Sequence, residues 1–160
     1  MVNTNKYDVI VIGGSCAGAA AAYTLAKSGK SVVIIDKEQF PRRKICGGMV
    51  TEKTISLLRD IYGEPGIKSM SFVDSSYNTF GIYHSDIGKI SKYSDPVEKL
   101  YFVDRSAFDQ FFLQKAIRAG CSFLGSRKAT MVKNDSVKLD SDQEVFGERI
   151  IGADGSHSVA

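Results

Sequence analysis

Cysteine is scarce in this chain and histidine scarcer. Cys16, Cys46 and Cys121 lie far apart, form no CxxC pair and are accompanied by only two histidines. So odd and dispersed a set suits neither a disulfide framework nor a zinc site, so no metal is expected and a reducing cytoplasm is the natural setting. No charge of one sign dominates: 21 Lys and Arg stand against 18 Asp and Glu, a formal charge of +3. That balance, with no aromatic-rich basic stripe, argues against a nucleic-acid partner. Long apolar runs are missing as well. After a polar N-terminus the first such run, Val9 to Ile12, is too short for a signal h-region or a membrane span, and only a peripheral membrane contact stays open. With 15 Gly, only 3 Pro, 43% hydrophobic and 24% charged residues, disordered and collagen-like classes are excluded. The 160 residues suffice for one core but not for two full domains. No internal repeat or low-complexity segment is visible.

What is present is an alternation of strands and helices. Asp8 to Ile12 is a β-branched run ending in Gly13-Gly14, the pattern of a parallel strand buried on both faces. Ala17 to Lys27 is an Ala-rich helix with Gly29 at its C′ position, and Ser31 to Ile35 is a second strand closed by Asp36. Such a pair of parallel strands requires the helical crossover between them. Lys37 to Val50 reads as a loop carrying Pro41, the basic Arg42-Arg43-Lys44 and Gly47-Gly48. Thr51 to Tyr62 reads as a helix with Thr51 as N-cap and Ile55, Leu58 and Ile61 along one face.

Residues 69–103 alternate loosely and are rich in Phe and Tyr, which predicts an antiparallel strand region whose aromatics mostly pack on the sheet. Ser106 to Asp109 has capping-box spacing, followed by Phe108, Phe111, Phe112, Ala116 and Ala119 at helical intervals up to Gly120. Phe123-Leu124 is then a brief buried strand. Arg127–Lys133, Ser136–Leu139 and Glu144–Phe146 suggest a β-meander, and Arg149–Ile151 returns as a buried strand into Gly152-Ala153-Asp154-Gly155.

The turn Gly13-Gly14-Ser15-Cys16-Ala17-Gly18 follows a strand and opens a helix. Gly13 allows the sharp turn, a small residue at 15 lets a pyrophosphate approach the backbone, and Gly18 permits tight packing of helix on strand. The orphan N–H groups and the positive end of the helix dipole then attract phosphate. Asp36, 18 residues beyond Gly18, is placed to accept from ribose hydroxyls and disfavours a 2′-phosphate. The middle glycine of the GxGxxG pattern is Ser15, which adds a Cβ there. Cys16 reads as a packing residue, and His84 and His157 carry no pattern.

Three further segments resemble one family. Phe40-Pro41-Arg42-Arg43-Lys44-Ile45-Cys46-Gly47-Gly48 resembles the FPRxKxCGG segment of the geranylgeranyl reductase family of FAD-dependent oxidoreductases, and related segments occur in flavin-dependent halogenases. Val103 to Asp109 resembles that family's arginine-plus-helix element. Gly152 to Val159 resembles the GADGxxSxV element of para-hydroxybenzoate-hydroxylase-like flavoproteins.

The resemblance implies an α/β, Rossmann-like FAD-binding fold with a parallel sheet, a crossover β-meander and an inserted antiparallel region at about 69–103. It implies FAD as cofactor, with the ADP half held by Gly13, Gly14, Ser15, Ala17, Gly18, Asp36 and Lys37. Lys44, Cys46, Gly47, Gly48 and Met49 would lie along the flavin, with Cys46 as the catalytic candidate and its thiol reactivity open. Arg105 would reach the pyrophosphate and ribityl region, Lys128 would pass the adenine, and Ala153, Asp154 and Gly155 would support the cofactor and its reduction. For Arg42, Arg43 and Lys44 a solvated loop and an anion-binding role stand side by side.

Family members continue past the GADG element into a substrate-covering sheet and a Gly-Asp motif, so residues 1–160 are expected to be a truncated FAD-binding domain without its C-terminal substrate part. The implied activity is reduction of carbon–carbon double bonds in a prenyl lipid, with a nicotinamide or other electron donor. The alternatives are a monooxygenase or halogenase, a nucleotide-binding module without turnover, and an NAD-binding domain. Halogenases resemble this chain in the same loop, so the sequence separates them poorly from the reductase; the chain has no Trp and no recognisable halogenase lysine motif.

Overall fold

The computed structural model describes residues 6–64, 68, 70–94, 99–156 and 158–160. Ser69, residues 95–98 and His157, which the sequence places in the strand region and the GADG element, lie outside the described residues. The chain forms two compact units, one from the segments up to Arg43 and from Ser106 onward, the other from Lys44 to Arg105. The first unit opens with β1 (Lys6–Ile12), α1 (Cys16–Lys27) and β2 (Val32–Ile35). The second holds β3 (Met49–Thr51), α2 (Glu52–Tyr62), β4 (Val73–Tyr77), β5 (Thr79–His84), β6 (Gly88–Ser94) and β7 (Leu100–Val103). The first unit resumes through α3 (Arg105–Arg118), β8 (Ser122–Leu124), β9 (Ala129–Val132), β10 (Ser136–Leu139) and β11 (Glu144–Gly152).

In the first unit a single sheet runs in the order β8-β2-β1-β11-β10-β9. Its first four strands are parallel neighbours, and the last two pair antiparallel as a meander. Residue parity divides the core in two. Val9, Val11, Val32 and Ile34 pack with Ala22 of α1 and with Leu113 and Ala116 of α3. Ile10, Ile12, Val33 and Ile35 pack instead with Ala129, Val137, Leu139 and Val145 from the meander. Both faces of β1 and β2 are therefore covered, which is why these strands read as continuous apolar runs rather than as alternation. The far end of α1 closes in a Schellman motif: Gly29 N–H donates to Ala26 O at 2.9 Å and Lys30 N–H to Leu25 O at 3.1 Å.

Four expectations change in this unit. Ser106 is not a cap, because α3 already begins at Arg105. The predicted strands 144–146 and 149–151 are one nine-residue strand, β11, pairing with β10 at its start and with β1 along its length. Its distal part is less buried than the sequence implies, with Arg149 exposed and Ile150 and Ile151 half-buried. Phe123 and Leu124 are likewise half-buried, because β8 is an edge strand with a neighbour on one side only.

In the second unit, β3, β7 and β4 form an antiparallel sheet and β5 pairs with β6 in a hairpin. The expected loop ends earlier than Val50, since Met49 already pairs with Phe102. Thr51 caps α2 by accepting from Thr54 N–H at 3.3 Å, and Gly63 ends the helix in the left-handed conformation. Ile55, Leu58 and Tyr62 are its buried residues, while Ile61 is half-buried. Phe72 and Tyr101 are buried as expected, but Tyr77, Phe80, Tyr83 and Tyr93 are exposed. The hairpin is two-stranded and has no neighbouring strand among the described residues, so Phe80, Tyr83 and Tyr93 meet solvent.

Candidate functional site

The glycine turn sits where β1 ends. Gly13 N–H donates to Ile35 O at 2.7 Å, and Ala153 N–H donates to Ile12 O at 2.7 Å, so the turn is clasped between the ends of β2 and β11. Gly13 has φ +101°, and a Cβ there would lie 2.4 Å from Ala153 O. A Cβ on Gly18 would lie 1.8 Å from Gly13 O, so the first turn of α1 rests directly on the glycine backbone. Neither position admits a side chain without displacing main chain, which accounts for both glycines physically. Ser15 stands at the N-cap of α1 but makes no capping hydrogen bond. The N–H groups of the first helical turn thus have no side-chain cap and are oriented to receive an anion.

Asp36 is buried at the end of β2 and is held by backbone on both oxygens. Gly14 N–H donates to Oδ2 at 2.7 Å, and Glu38 N–H donates to Oδ1 at 2.9 Å. Each carboxylate oxygen keeps a further lone pair. The segment after β8 runs alongside: Asp36 N–H donates to Leu124 O at 3.0 Å, and Arg127 N–H donates to Asp36 O at 3.0 Å. Lys128, singled out from the sequence, lies one residue further on, with an exposed side chain and a carbonyl that accepts from Asp140 N–H. Lys37 is exposed.

The sequence missed Asp109. It is 1% exposed on α3, and Ser15 Oγ donates to its Oδ2 at 2.8 Å. Arg42 Nη2 lies 3.7 Å from the same oxygen, and its guanidinium stacks 4.9 Å from the Phe40 ring centroid. The solvated-loop reading therefore fails for Arg42, whose side chain is only 15% exposed; Arg43 and Lys44 are exposed. The available signal was the polar Asp109 within the otherwise buried row Phe108, Phe112 and Leu113, which capping-box spacing explained away.

In the second unit, Cys46 is exposed between two donors. Gly48 N–H donates to its Sγ at 3.5 Å and Arg105 Nη1 at 3.3 Å. The Gly48 amide first, and then the Arg105 guanidinium, hold the thiol below its ordinary value. Gly48 is buried with φ +71°, and a Cβ there would lie 2.3 Å from Val103 O, so the loop is pressed onto β7. Gly47 and Met49 are exposed. Cys121 contrasts with Cys46: it is buried, its Sγ donates to Ala22 O, and burial pushes its thiol up to about 11.

In the first unit, Asp154 holds the turn that follows β11. Its oxygens accept from Ser158 Oγ at 2.6 Å and from Val159 N–H at 2.8 Å. Burial works to raise this carboxyl, but those hydrogen bonds together prevail and keep it below its ordinary value. Ala153 is half-buried and Gly155 exposed beside it. The tight glycine turn, the uncapped helix and the buried acid at the end of β2 fit a dinucleotide on the first unit's own geometry.

Comparison with known proteins agrees. Residues 6–160 match the model of the FAD binding domain family. An uncharacterized protein of Methanosarcina barkeri is 35% identical over 99% of the chain, and the chain covers 40% of that protein. Geranylgeranyl diphosphate reductase of Rhodobacter capsulatus is 29% identical over 96% of the chain, which covers 38% of it. Among solved structures, the halogenase PltM in complex with phloroglucinol and FAD superposes with a TM-score of 0.79 at 26% identity, covering 96% of this chain and 35% of that one. The chain thus spans well under half the length of these relatives.

Proposed function

This chain belongs to the FAD binding domain family, and from that premise we propose that it serves an oxidoreductase reducing carbon–carbon double bonds of prenyl chains. FAD is the cofactor, and the α/β fold with its largely parallel sheet is that of FAD-binding relatives. When bound, FAD supplies the two-electron chemistry. The chain's own residues supply binding and orientation. In this reading the N–H groups of Cys16, Ala17 and Gly18 hold the pyrophosphate, and the spare lone pairs of Asp36 accept from the adenosine ribose. The main chain at Arg127 and Lys128 flanks the adenosine end. In the second unit, Cys46, Gly47, Met49 and Arg105 are assigned to the flavin end, with Arg105 keeping the Cys46 thiol polarised.

The observation that supports the reductase reading most is the run Phe40 to Gly48, with a cysteine held by an amide and a guanidinium. The 29% likeness to geranylgeranyl diphosphate reductase supports it as well. The substrate class is accordingly an isoprenoid lipid, the donor of electrons a nicotinamide or equivalent, and any membrane contact peripheral. Among the described residues no helix is long and apolar enough to cross a membrane. The test is direct: the FAD-loaded protein, reduced under nitrogen, is offered geranylgeranyl diphosphate, and products are weighed by mass spectrometry. Gain of H2 per double bond supports the reading, and prenyl substrates left unchanged overturn it.

The likeness to PltM supports a second reading, an oxygen-dependent halogenase. Halide-dependent modification of a phenol in air, with no anaerobic prenyl reduction, would favour it. FAD binding without either product would favour a nucleotide-binding module.

A further inference from the structure

We infer that Asp109 is a positioning residue for the cofactor: it draws the Ser15 hydroxyl away from α1 and so keeps the helix N-terminus open for the pyrophosphate. The inference rests on the reading above that the glycine turn holds FAD. A serine at an N-cap ordinarily accepts from the N–H two or three residues on, satisfying a donor that the helix leaves orphaned. The chain itself shows this at α2, where Thr51 accepts from Thr54 N–H. Ser15 occupies the same position on α1 with an extended backbone, φ −71° and ψ −179°, yet does not cap. Its Oγ donates instead to Asp109 Oδ2 at 2.8 Å, across 94 residues of sequence.

Strength decides between the two partners. A hydroxyl donating to a buried carboxylate makes a charge-assisted bond, roughly twice as strong as the neutral one to a helix amide. Asp109 is 1% exposed and Ser15 9%, so water weakens neither group. A buried carboxylate is costly to keep, and a hydrophobic side chain of similar size is often as stable or better. Asp109 nevertheless lies among Phe108, Phe112 and Leu113, with Arg42 Nη2 only 3.7 Å from it. Arg42 Nε is buried and makes no hydrogen bond in this structure, so the ion pair itself is imperfectly satisfied. Core stability accounts poorly for this arrangement. Control of the Ser15 hydroxyl accounts for it well, because Ser15 stands where the GxGxxG pattern has a glycine that brings no competing hydroxyl.

The test compares the 160-residue chain with Asp109→Ala, Asp109→Asn and the double variant Ser15→Ala/Asp109→Ala. Without Asp109, the Ser15 hydroxyl turns onto the Ala17 or Gly18 N–H. Amide hydrogen exchange in the cofactor-free chain should slow at one of these two residues in Asp109→Ala. It should return to the wild-type rate in the double variant, and stay there in Asp109→Asn, which keeps an acceptor. FAD affinity should fall about fivefold in Asp109→Ala, the cost of displacing one cap, and recover to within about twofold in the double variant. A merely structural Asp109 predicts no recovery, since adding Ser15→Ala cannot repair packing. Equal exchange and equal weakening in both variants would overturn the inference. Should Asp109→Ala not fold, Arg42→Met/Asp109→Leu removes both buried charges and is read the same way, with and without Ser15→Ala. A wild-type chain that exchanges as expected but takes no FAD would overturn the cofactor reading of the turn and leave only the hydroxyl switch standing.

Discussion

Replacing Gly18 by Ala sets two energies against each other. Alanine is the better helix former by about 1 kcal/mol, so in an open helix the change would stabilise. Here the new Cβ would lie 1.8 Å from Gly13 O, and the nearest atoms are backbone, which cannot swing aside as a side chain can. The start of α1 must retreat by more than an ångström from the turn that its apolar face is packed against. Overpacking costs about 1–3 kcal/mol, and with backbone as the obstacle it reaches the upper end, about 3 kcal/mol, so after the helix gain the net loss is about 2 kcal/mol. For a chain of this size that lowers Tm by about 4–8 °C. Gly14→Ala is the internal control, since its Cβ meets only ordinary contacts at 3.4–3.5 Å. Thermal unfolding followed by circular dichroism reads both variants. Because the first-turn N–H groups move with the helix, FAD affinity should fall at least tenfold in Gly18→Ala. A Gly18→Ala chain as stable as wild type would refute the close approach from which the cradle is argued.

Three other perturbations are expected to separate the parts of the site. Asp36→Ala leaves the buried Gly14 N–H without its acceptor and should cost about 1–3 kcal/mol by urea unfolding, with FAD affinity falling as well. Asp36→Asn, which keeps one acceptor, should cost less. Cys46 should alkylate faster than buried Cys121 at neutral pH, with a midpoint below the ordinary thiol range, and Arg105→Ala should raise that midpoint. A rate unchanged by Arg105→Ala would show that the guanidinium contact has no influence on the thiol. Asp154 has a folded-state value below its unfolded one, so its contribution is complete above the unfolded value of 3.8 and is lost as pH falls through the lower folded value. Asp154→Asn should therefore flatten the loss of stability as pH falls below the unfolded value of 3.8 in urea titrations. An identical acid profile in the variant would contradict the hydrogen bonds from Ser158 and Val159.

Much of this was legible in the residues because local chemistry and global fold agree. The parity of Val9 to Ile12 and Val32 to Ile35 announces a strand pair covered on both sides, and the glycines at 13 and 18 stand where no Cβ fits. What was hidden depends on distant partners. Nothing near Asp109 in the sequence points to Ser15, and its spacing from Ser106 suggests a cap that the actual helix start excludes. Arg42 reads as one of three basic loop residues, yet its guanidinium folds back over Phe40. The continuity of β11 was obscured by Gly147, which sits where a Cβ would press to 2.7 Å from Ile10 Cγ1 and so belongs to the strand for a tertiary reason. The hairpin aromatics were misplaced because alternation reports strand geometry but not whether a second layer covers the face.

The most direct measurement is a titration of the chain with FAD, followed by flavin fluorescence, with NAD and FMN as competitors. The account predicts saturable binding of one FAD per chain, selective over both competitors and weakened at least tenfold in Gly18→Ala. Displacement of FAD by NAD at comparable concentration, or FAD binding indifferent to Gly18→Ala, would contradict the assignment of the glycine turn as the seat of the cofactor.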